Sequence, residues 1–527
     1  MHRHATLVFV FLVLALAVRD VVPPGDLGVT PESVARMRAD LEVIARETRP
    51  AGSSANVAAR EYLRDHLLGL GLAVQEQLWY ELDRELVNIV TRIPGENPEG
   101  ALLVLAHHDS VTRGPGAADD GVGCVAILEL ARELVAGPPL AQDVLLLLTD
   151  GEEIGMLGAR TFRDAHPAMA DVRAVINIEA MGGAGPLVCF QMSQDNADLA
   201  RAWARTPHAT GSSFAEVVYS LMPNNTDLTR FLGRAPGINL ALAGGCSVYH
   251  KPWDTPERVE DRALAHTIAT LSSLTRSVAG GPWPDELAPA RNWFSVPFIG
   301  VLDWSETPTE WGLLSVLGLL VVLDAPGTRS RRALAILRGI LLALGLLFVA
   351  LLPAFALGFI FLYTRSGLTG PTSYGEVHAM VALQGLWVAA LLVFLGRWSA
   401  RRPERAELVL EASLGALLVA SLAGLFYFVE RLGLRGSDAL LLRAACTASA
   451  FAFLAAQRTH GGGRWIVAVL LLAPVLTFAP FLAILPQIGS QLEWLAAAMG
   501  AALWALLCLL LLPLLVRHAD RPVTSPR

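Results

Sequence analysis

Apolar residues in this chain are segregated along its length: residues 24–300 read as an ordinary globular sequence, whereas residues 308–516 are mostly long apolar runs. The whole, 53% hydrophobic and 17% charged, is too apolar for an ordinary soluble protein. Runs of about 20 apolar residues suit membrane-spanning helices. Seven such segments lie beyond residue 308, at about 311–323, 339–363, 377–396, 408–429, 439–456, 465–485 and 494–516, the first of them short. An earlier run at 5–18, behind His2, Arg3 and His4, has the length of a signal-peptide core. It is either retained as an anchor or cleaved near Ala15-Leu16-Ala17, and both outcomes export residues 24–300.

Charge in the connecting loops gives a direction. The loops at 324–338, 397–407 and 457–464 and the tail from 517 hold 13 Arg, against 3 in the alternate loops. Positive loops stay in the cytoplasm, so residues 24–300 are expected outside it and the C-terminus inside. The expected organisation is an N-terminal segment (1–23), an extracytoplasmic domain (24–300), an all-α polytopic domain in the lipid bilayer (301–516) and a cytoplasmic tail (517–527). Among the basic residues Lys251 is the only Lys. This reads as the coding bias of a GC-rich bacterial genome, which places the bilayer in a bacterial inner membrane. A net charge of −7 without a basic stripe argues against nucleic acid as a partner. Five cysteines with no CxxC spacing argue against a disulfide framework or a thiolate metal site.

Within 24–300 short apolar runs at 102–106, 144–149, 172–178 and 238–243 read as buried strands separated by helical stretches, the first of these at 121–135. This predicts an α/β fold, an open sheet covered by helices on both faces. Each run ends in a polar string: His107-His108-Asp109-Ser110, Asp150-Gly151-Glu152-Glu153, Glu179, and a loop with Tyr249 and His250. Ligands gather beyond the carboxyl ends of strands in such sheets. Five separated side chains there, His107, Asp119, Glu153, Glu179 and His250, are of the types that hold two divalent ions with one carboxylate bridging them. Glu152, beside a candidate ligand, is left to move protons. Asp109 lies two residues from His107, so on an extended strand both point the same way and Asp109 can orient the imidazole. Singly these signals are commonplace: an HxD string often ends a strand, a Glu pair often starts a helix, and Asp120 suits an N-cap better than a ligand. Their order and shared placement give them weight.

The strings HHDSVTRGPGAADDGVG, LLTDGEEIGMLGA, INIEAMG and YHKPWDT, with the entry stretch TRPAGSSANVAAREYL, resemble the motifs of the two-zinc aminopeptidases, metallopeptidase family 28. They cover residues 48–255. With the apolar C-terminal region, the chain is similar to that family's membrane-bound branch of endoplasmic reticulum metallopeptidases and vacuolar membrane proteases. The resemblance implies a mixed, mostly parallel sheet flanked by helices and two zinc ions. His107 and Glu179 would hold one ion, Glu153 and His250 the other, and Asp119 would bridge them. Glu179 stands where many soluble members have Asp, and the membrane branch has Glu there. Glu152 would act as general base on a zinc-bridged water, Tyr249 would help hold the oxyanion, and Asp254 with Thr255 would brace the His250 loop. Asn224, Asn225, Thr226 and Asp227 fall where the family has a specificity loop, though a helix cap fits them equally. The implied reaction is hydrolysis of a peptide or protein substrate at its N-terminal bond. A glutaminyl cyclase-like acyltransferase, whose relatives lack the first His ligand, and a non-catalytic receptor-like ectodomain are the alternatives. His107, the full ligand set and Glu152 argue against both.

Overall fold

The computed structural model describes residues 26–283 (except 97, 194–195, 212, 221–224 and 246–247), 291–305 (except 297–299), a helix at 329–369 and scattered positions between 383 and 408. The chain divides into two units, Asp20–Glu306 and a second made of Met1–Arg19 with Thr307–Arg527.

The first unit opens with two capped helices. Thr30 caps α1 (Pro31–Ile44) by accepting from Ser33 N, and Ser53 caps α2 (Ser54–Gly69) by accepting from Asn56 N. A hairpin of β1 (Val74–Glu81) and β2 (Arg84–Ile93) comes next. Then come β3 (Ala101–His107), α3 (Gly123–Ala136), β4 (Asp143–Thr149), α4 (Leu157–Ala165), β5 (Val172–Ala180) and β6 (Ala184–Met192). Helix α5 (Ala197–Arg205), the short β7 (Thr210–Gly211), α6 (Ser213–Ser220), β8 (Gly237–Gly244) and α7 (Asp261–Ala279) continue the unit, and a separate hairpin, β9 (Arg291–Val296) with β10 (Gly300–Ser305), closes it.

The eight-stranded sheet has the order β1-β2-β4-β3-β5-β8-β6-β7. Its centre, β4-β3-β5-β8, is parallel, and β1, β2 and β6 join antiparallel. The expected strands at 102–106, 144–149, 172–178 and 238–243 are the four central ones. Side chains of a strand alternate between faces, and β3 shows the result. Leu102, Val104 and Ala106 pack in the core under α1, α2, α3 and α7, whereas Ala101, Leu103 and Leu105 pack with Phe162 of α4 and Phe231 on the opposite face. A strand buried on both faces reads as an unbroken apolar run. The four parallel strands point the same way, so their carboxyl ends share one edge.

In the second unit α8 (Arg329–Thr369) contains Leu341–Gly358, a stretch of mean hydropathy 2.5 that is long and apolar enough to cross a membrane. It coincides with the expected span at 339–363. The segments expected at 5–18, 311–323, 439–456, 465–485 and 494–516 lie outside the described residues, and those at 377–396 and 408–429 are described only in part.

Candidate metal centre

His107 is the last residue of β3, and Asp119 lies beyond it in an irregular turn, Ala117–Val122, whose Asp119 and Asp120 have non-helical backbone. Glu152 and Glu153 come after β4, Glu179 is the penultimate residue of β5, and His250 stands in the loop after β8. The topology thus brings together all five expected ligands. They form two triads, His107-Asp119-Glu179 and Asp119-Glu153-His250, with donor atoms in each within 4.8 Å of one another. Asp119 belongs to both. Its Oδ1 lies 3.3 Å from His107 Nε2, and its Oδ2 lies 3.1 Å from His250 Nε2. Glu179 Oε2 is 3.7 Å from His107 Nε2, and Glu153 Oε2 is 3.2 Å from His250 Nε2.

The surroundings fix these atoms. His107 turns its Nδ1 to Asp109, 3.2 Å from the carbonyl and 3.4 Å from Oδ1, which leaves Nε2 facing Asp119. A partner on one ring nitrogen sets the tautomer presented by the other. Asp109 does a second job that sequence reasoning missed: its carboxylate accepts from the N–H groups of Glu152 (3.0 Å) and Glu153 (3.2 Å), tying the β4 loop to the β3 loop. Asn177 is also new. Its Nδ2 donates to Glu179 Oε1 at 3.1 Å and to Asn239 Oδ1 at 2.9 Å. It lies two residues before Glu179 on the same strand face, the relation that identified Asp109 beside His107. Asp120 accepts from Gly123 N, the first residue of α3, at 3.0 Å, although the N-cap position itself is Val122, and it is no part of either triad. Asp254 does more than brace its own loop: it accepts from the N–H groups of Ala118 (2.8 Å) and Asp119 (3.2 Å). Thr226 takes the capping reading, in a box with Thr229, and Asp227 is buried against Thr149; Asn224 lies outside the described residues.

His250 sits at φ +57, a conformation few non-glycine residues adopt, and its ring stacks on Tyr249 with centroids 3.8 Å apart. Burial, with the charges of Asp119 and Glu153, pushes the Tyr249 hydroxyl far up, so it is a proton donor throughout the neutral range.

Five acidic side chains, Asp109, Asp119, Glu152, Glu153 and Glu179, face two imidazoles here. Electrostatics shows the crowding. Burial and the Asp119 charge push Glu153 up to about 7, and burial pushes Glu152 well up. Burial works against His250 protonation, yet bonds to Asp119 and Glu153 outweigh it and push that imidazole up to about 10. Burial also opposes ionisation of Asp119, but the two imidazoles hold it down at about 2. Glu153 Oε1 is buried with no hydrogen-bond partner among the described residues. An orphaned carboxylate oxygen beside a shared carboxylate and two imidazoles is the donor chemistry of a pair of divalent ions such as zinc.

Residues 88–275 match the model of peptidase family M28. Endoplasmic reticulum metallopeptidase 1 of Mus musculus is 34% identical over 203 residues, which are 36% of this chain and 23% of that protein. A vacuolar membrane protease of Meyerozyma guilliermondii is 27% identical over 268 residues, 46% of this chain and 27% of that protein. The chain thus spans about a quarter of the length of the curated relatives it matches. Among solved structures, the chain is similar to an aminopeptidase from Aneurinibacillus sp. strain AM-1, with 14% identity, 49% of this chain and 96% of that one covered, and a TM-score of 0.41. Most of the motifs that meet at one edge of the sheet, with all five expected ligands, fall inside residues 88–275, the stretch that is similar to peptidase family M28.

Proposed function

We propose that this protein is a membrane-anchored zinc peptidase, with an extracytoplasmic domain (24–300) that removes N-terminal residues from peptides and a helical domain (301–516) in a bacterial inner membrane. The observation that carries the reading is the sharing of Asp119 between two imidazole–carboxylate triads. His107, Asp119 and Glu179 would hold one zinc ion, and Asp119, Glu153 and His250 the other. The cations, when bound, supply polarisation of the scissile carbonyl and acidification of the attacking water.

The chain's own groups do the rest. Glu152 takes the proton of the attacking water and returns it to the leaving amine. Its backbone is held by Asp109, and burial pushes its carboxyl well above the usual carboxylate range, which makes the carboxylate a stronger base. Tyr249 donates its hydroxyl proton as a hydrogen bond to the oxyanion that develops on the carbonyl. The acidic cluster attracts a free α-amine, which favours action at the N-terminus. The membrane setting is supported by Leu341–Gly358 and by the relatives, whose names place them in the endoplasmic reticulum and at the vacuolar membrane.

The test uses the full chain in detergent, wild type and Glu152→Gln, assayed for zinc content and on amino-acid amides beside N-acetylated peptides. Both proteins should carry two zinc ions. The wild type should cleave only substrates with a free amine, and the variant should be slower by about 100- to 10,000-fold. Normal turnover by the variant removes Glu152 from the mechanism. Equal cleavage of blocked peptides removes the aminopeptidase assignment.

A further inference from the structure

Asp119 can serve both triads only if the segment from His107 to Asp119 keeps one shape. Two buried charged residues grip that segment, and neither is a candidate ligand. Arg49 is fully buried. Its Nε donates to the carbonyl of His108 at 2.9 Å, its Nη2 to that of Gly116 at 2.8 Å, and its Nη1 to that of Pro115. Its main chain is stitched to Ser110 in both directions, Arg49 N to Oγ at 2.9 Å and Ser110 N to the Arg49 carbonyl at 3.1 Å. Asp254, 2% exposed, holds the far end. Its carboxylate accepts from Ala118 N and Asp119 N, and its carbonyl accepts from Ala117 N at 3.1 Å.

The two residues divide the work by sign. The guanidinium takes the negative ends of the segment's peptide dipoles and the carboxylate takes the positive ends. Glycine makes the room: a Cβ on Gly116 would stand 3.3 Å from Arg49 Nη1 and 2.3 Å from the Asp119 carbonyl. Asp254 also lies four residues past His250, so the bonds that seat Asp119 also register it against the second imidazole.

We propose that Arg49 and Asp254 are positioning residues that act as one unit through the segment between them, setting Asp119 between His107 and His250. This rests on the metal-binding reading of the two triads. It concerns the placing of a ligand, beyond the stability that any buried hydrogen bond gives.

The test is a double-mutant cycle on the full chain in detergent, loaded with cobalt(II) as probe. Arg49→Lys keeps the charge and loses the planar fork. Asp254→Asn keeps the shape and loses one acceptor. Cobalt affinity by chelator competition and the d–d absorption bands are read, with Tm alongside. Each single variant should weaken cobalt binding by about tenfold or more and shift the bands. The double variant should be no weaker than the worse single, because a unit already broken cannot be broken twice. Losses that multiply in the double variant overturn the proposal, as do wild-type affinity and bands in both singles. A wild type that binds no cobalt overturns the metal reading and this pairing with it. Wild-type binding with unchanged variants sinks the pairing alone. Should Arg49→Lys not fold, Ser110→Ala replaces it in the cycle, since it keeps the guanidinium and removes the hydroxyl that seats Arg49 N, along with that hydroxyl's own bond to the Val111 carbonyl.

Discussion

At the scale of single residues, the proposed site would exchange protons for cations, and this has a consequence for stability. Without cations, burial raises Glu153 from 4.5 to about 7 and both Asp227 and Asp254 from 3.8 to about 7. The folded domain then keeps protons that the unfolded chain releases, so stability is lost as pH rises through that interval. His250, raised from 6.5 to about 10 by its carboxylate partners against the pull of burial, extends the loss upward. Asp119, lowered to about 2, acts in the opposite sense but only on strong acidification, below 3.8. Chelator-treated protein should therefore melt at a lower temperature at about pH 8 than at about pH 5, and zinc should restore more stability at the higher pH, where it competes with fewer protons. Differential scanning fluorimetry reads this; a zinc increment larger at the lower pH would contradict it. Residues of this cluster were legible in the sequence because ligand types recur at strand ends. The roles of Arg49, inside the entry stretch, and of Asn177 were not, because Arg49 bonds to main-chain carbonyls and Asn177 to an amide on another strand, and such partners cannot be read along the chain.

At the scale of elements, the four central strands were readable since burial on both faces makes each an apolar run. The hairpin of β1 and β2 was not. Its turn residues, Leu82 and Asp83, have φ of +51 and +56, and a two-residue turn of that kind is ordinarily announced by Asn-Gly. Strand β1 mixes exposed and half-buried residues, so it has no apolar signature. The loops beyond the strands carry most of the candidate ligands, and their contacts are tight. A Cβ on Gly114, in the loop after β3, would stand 2.2 Å from the main-chain oxygen of Lys251 in the loop after β8. That oxygen cannot move without moving His250. Gly114→Ala should destabilise the domain by about 2 kcal/mol and loosen the triad that contains His250. Gly69→Ala, at the end of α2 with nothing within 4 Å of the added carbon, is the control and should leave the urea midpoint level or slightly higher. Equal midpoints and equal zinc retention in the two variants would mean that the loops tolerate separation.

At the scale of the whole molecule, the direction proposed for the chain in the membrane rests on parity and charge together. If residues 24–300 lie outside the cytoplasm, seven crossings place Arg527 inside, and the Arg-rich loops then all fall on the cytoplasmic side, 13 against 3. Removing one span would leave the loops before the removed segment in place and reverse those after it, so the charge asymmetry would be divided. The short segment at 311–323 comes before every connecting loop, so its loss would invert them all. Positive loops resist translocation, which makes that inverted arrangement the unfavourable one. A reporter that matures only in the cytoplasm, fused after Arg527, should be active, and residues 24–300 should be cut by protease added from outside intact spheroplasts. A fusion that works only outside, with the 24–300 domain still accessible there, would remove one crossing from the count. By length the segment at 311–323 would be the one to go, with Leu341–Gly358 apolar enough to serve as the first span, and the Arg-rich loops would then lie outside against their charge preference.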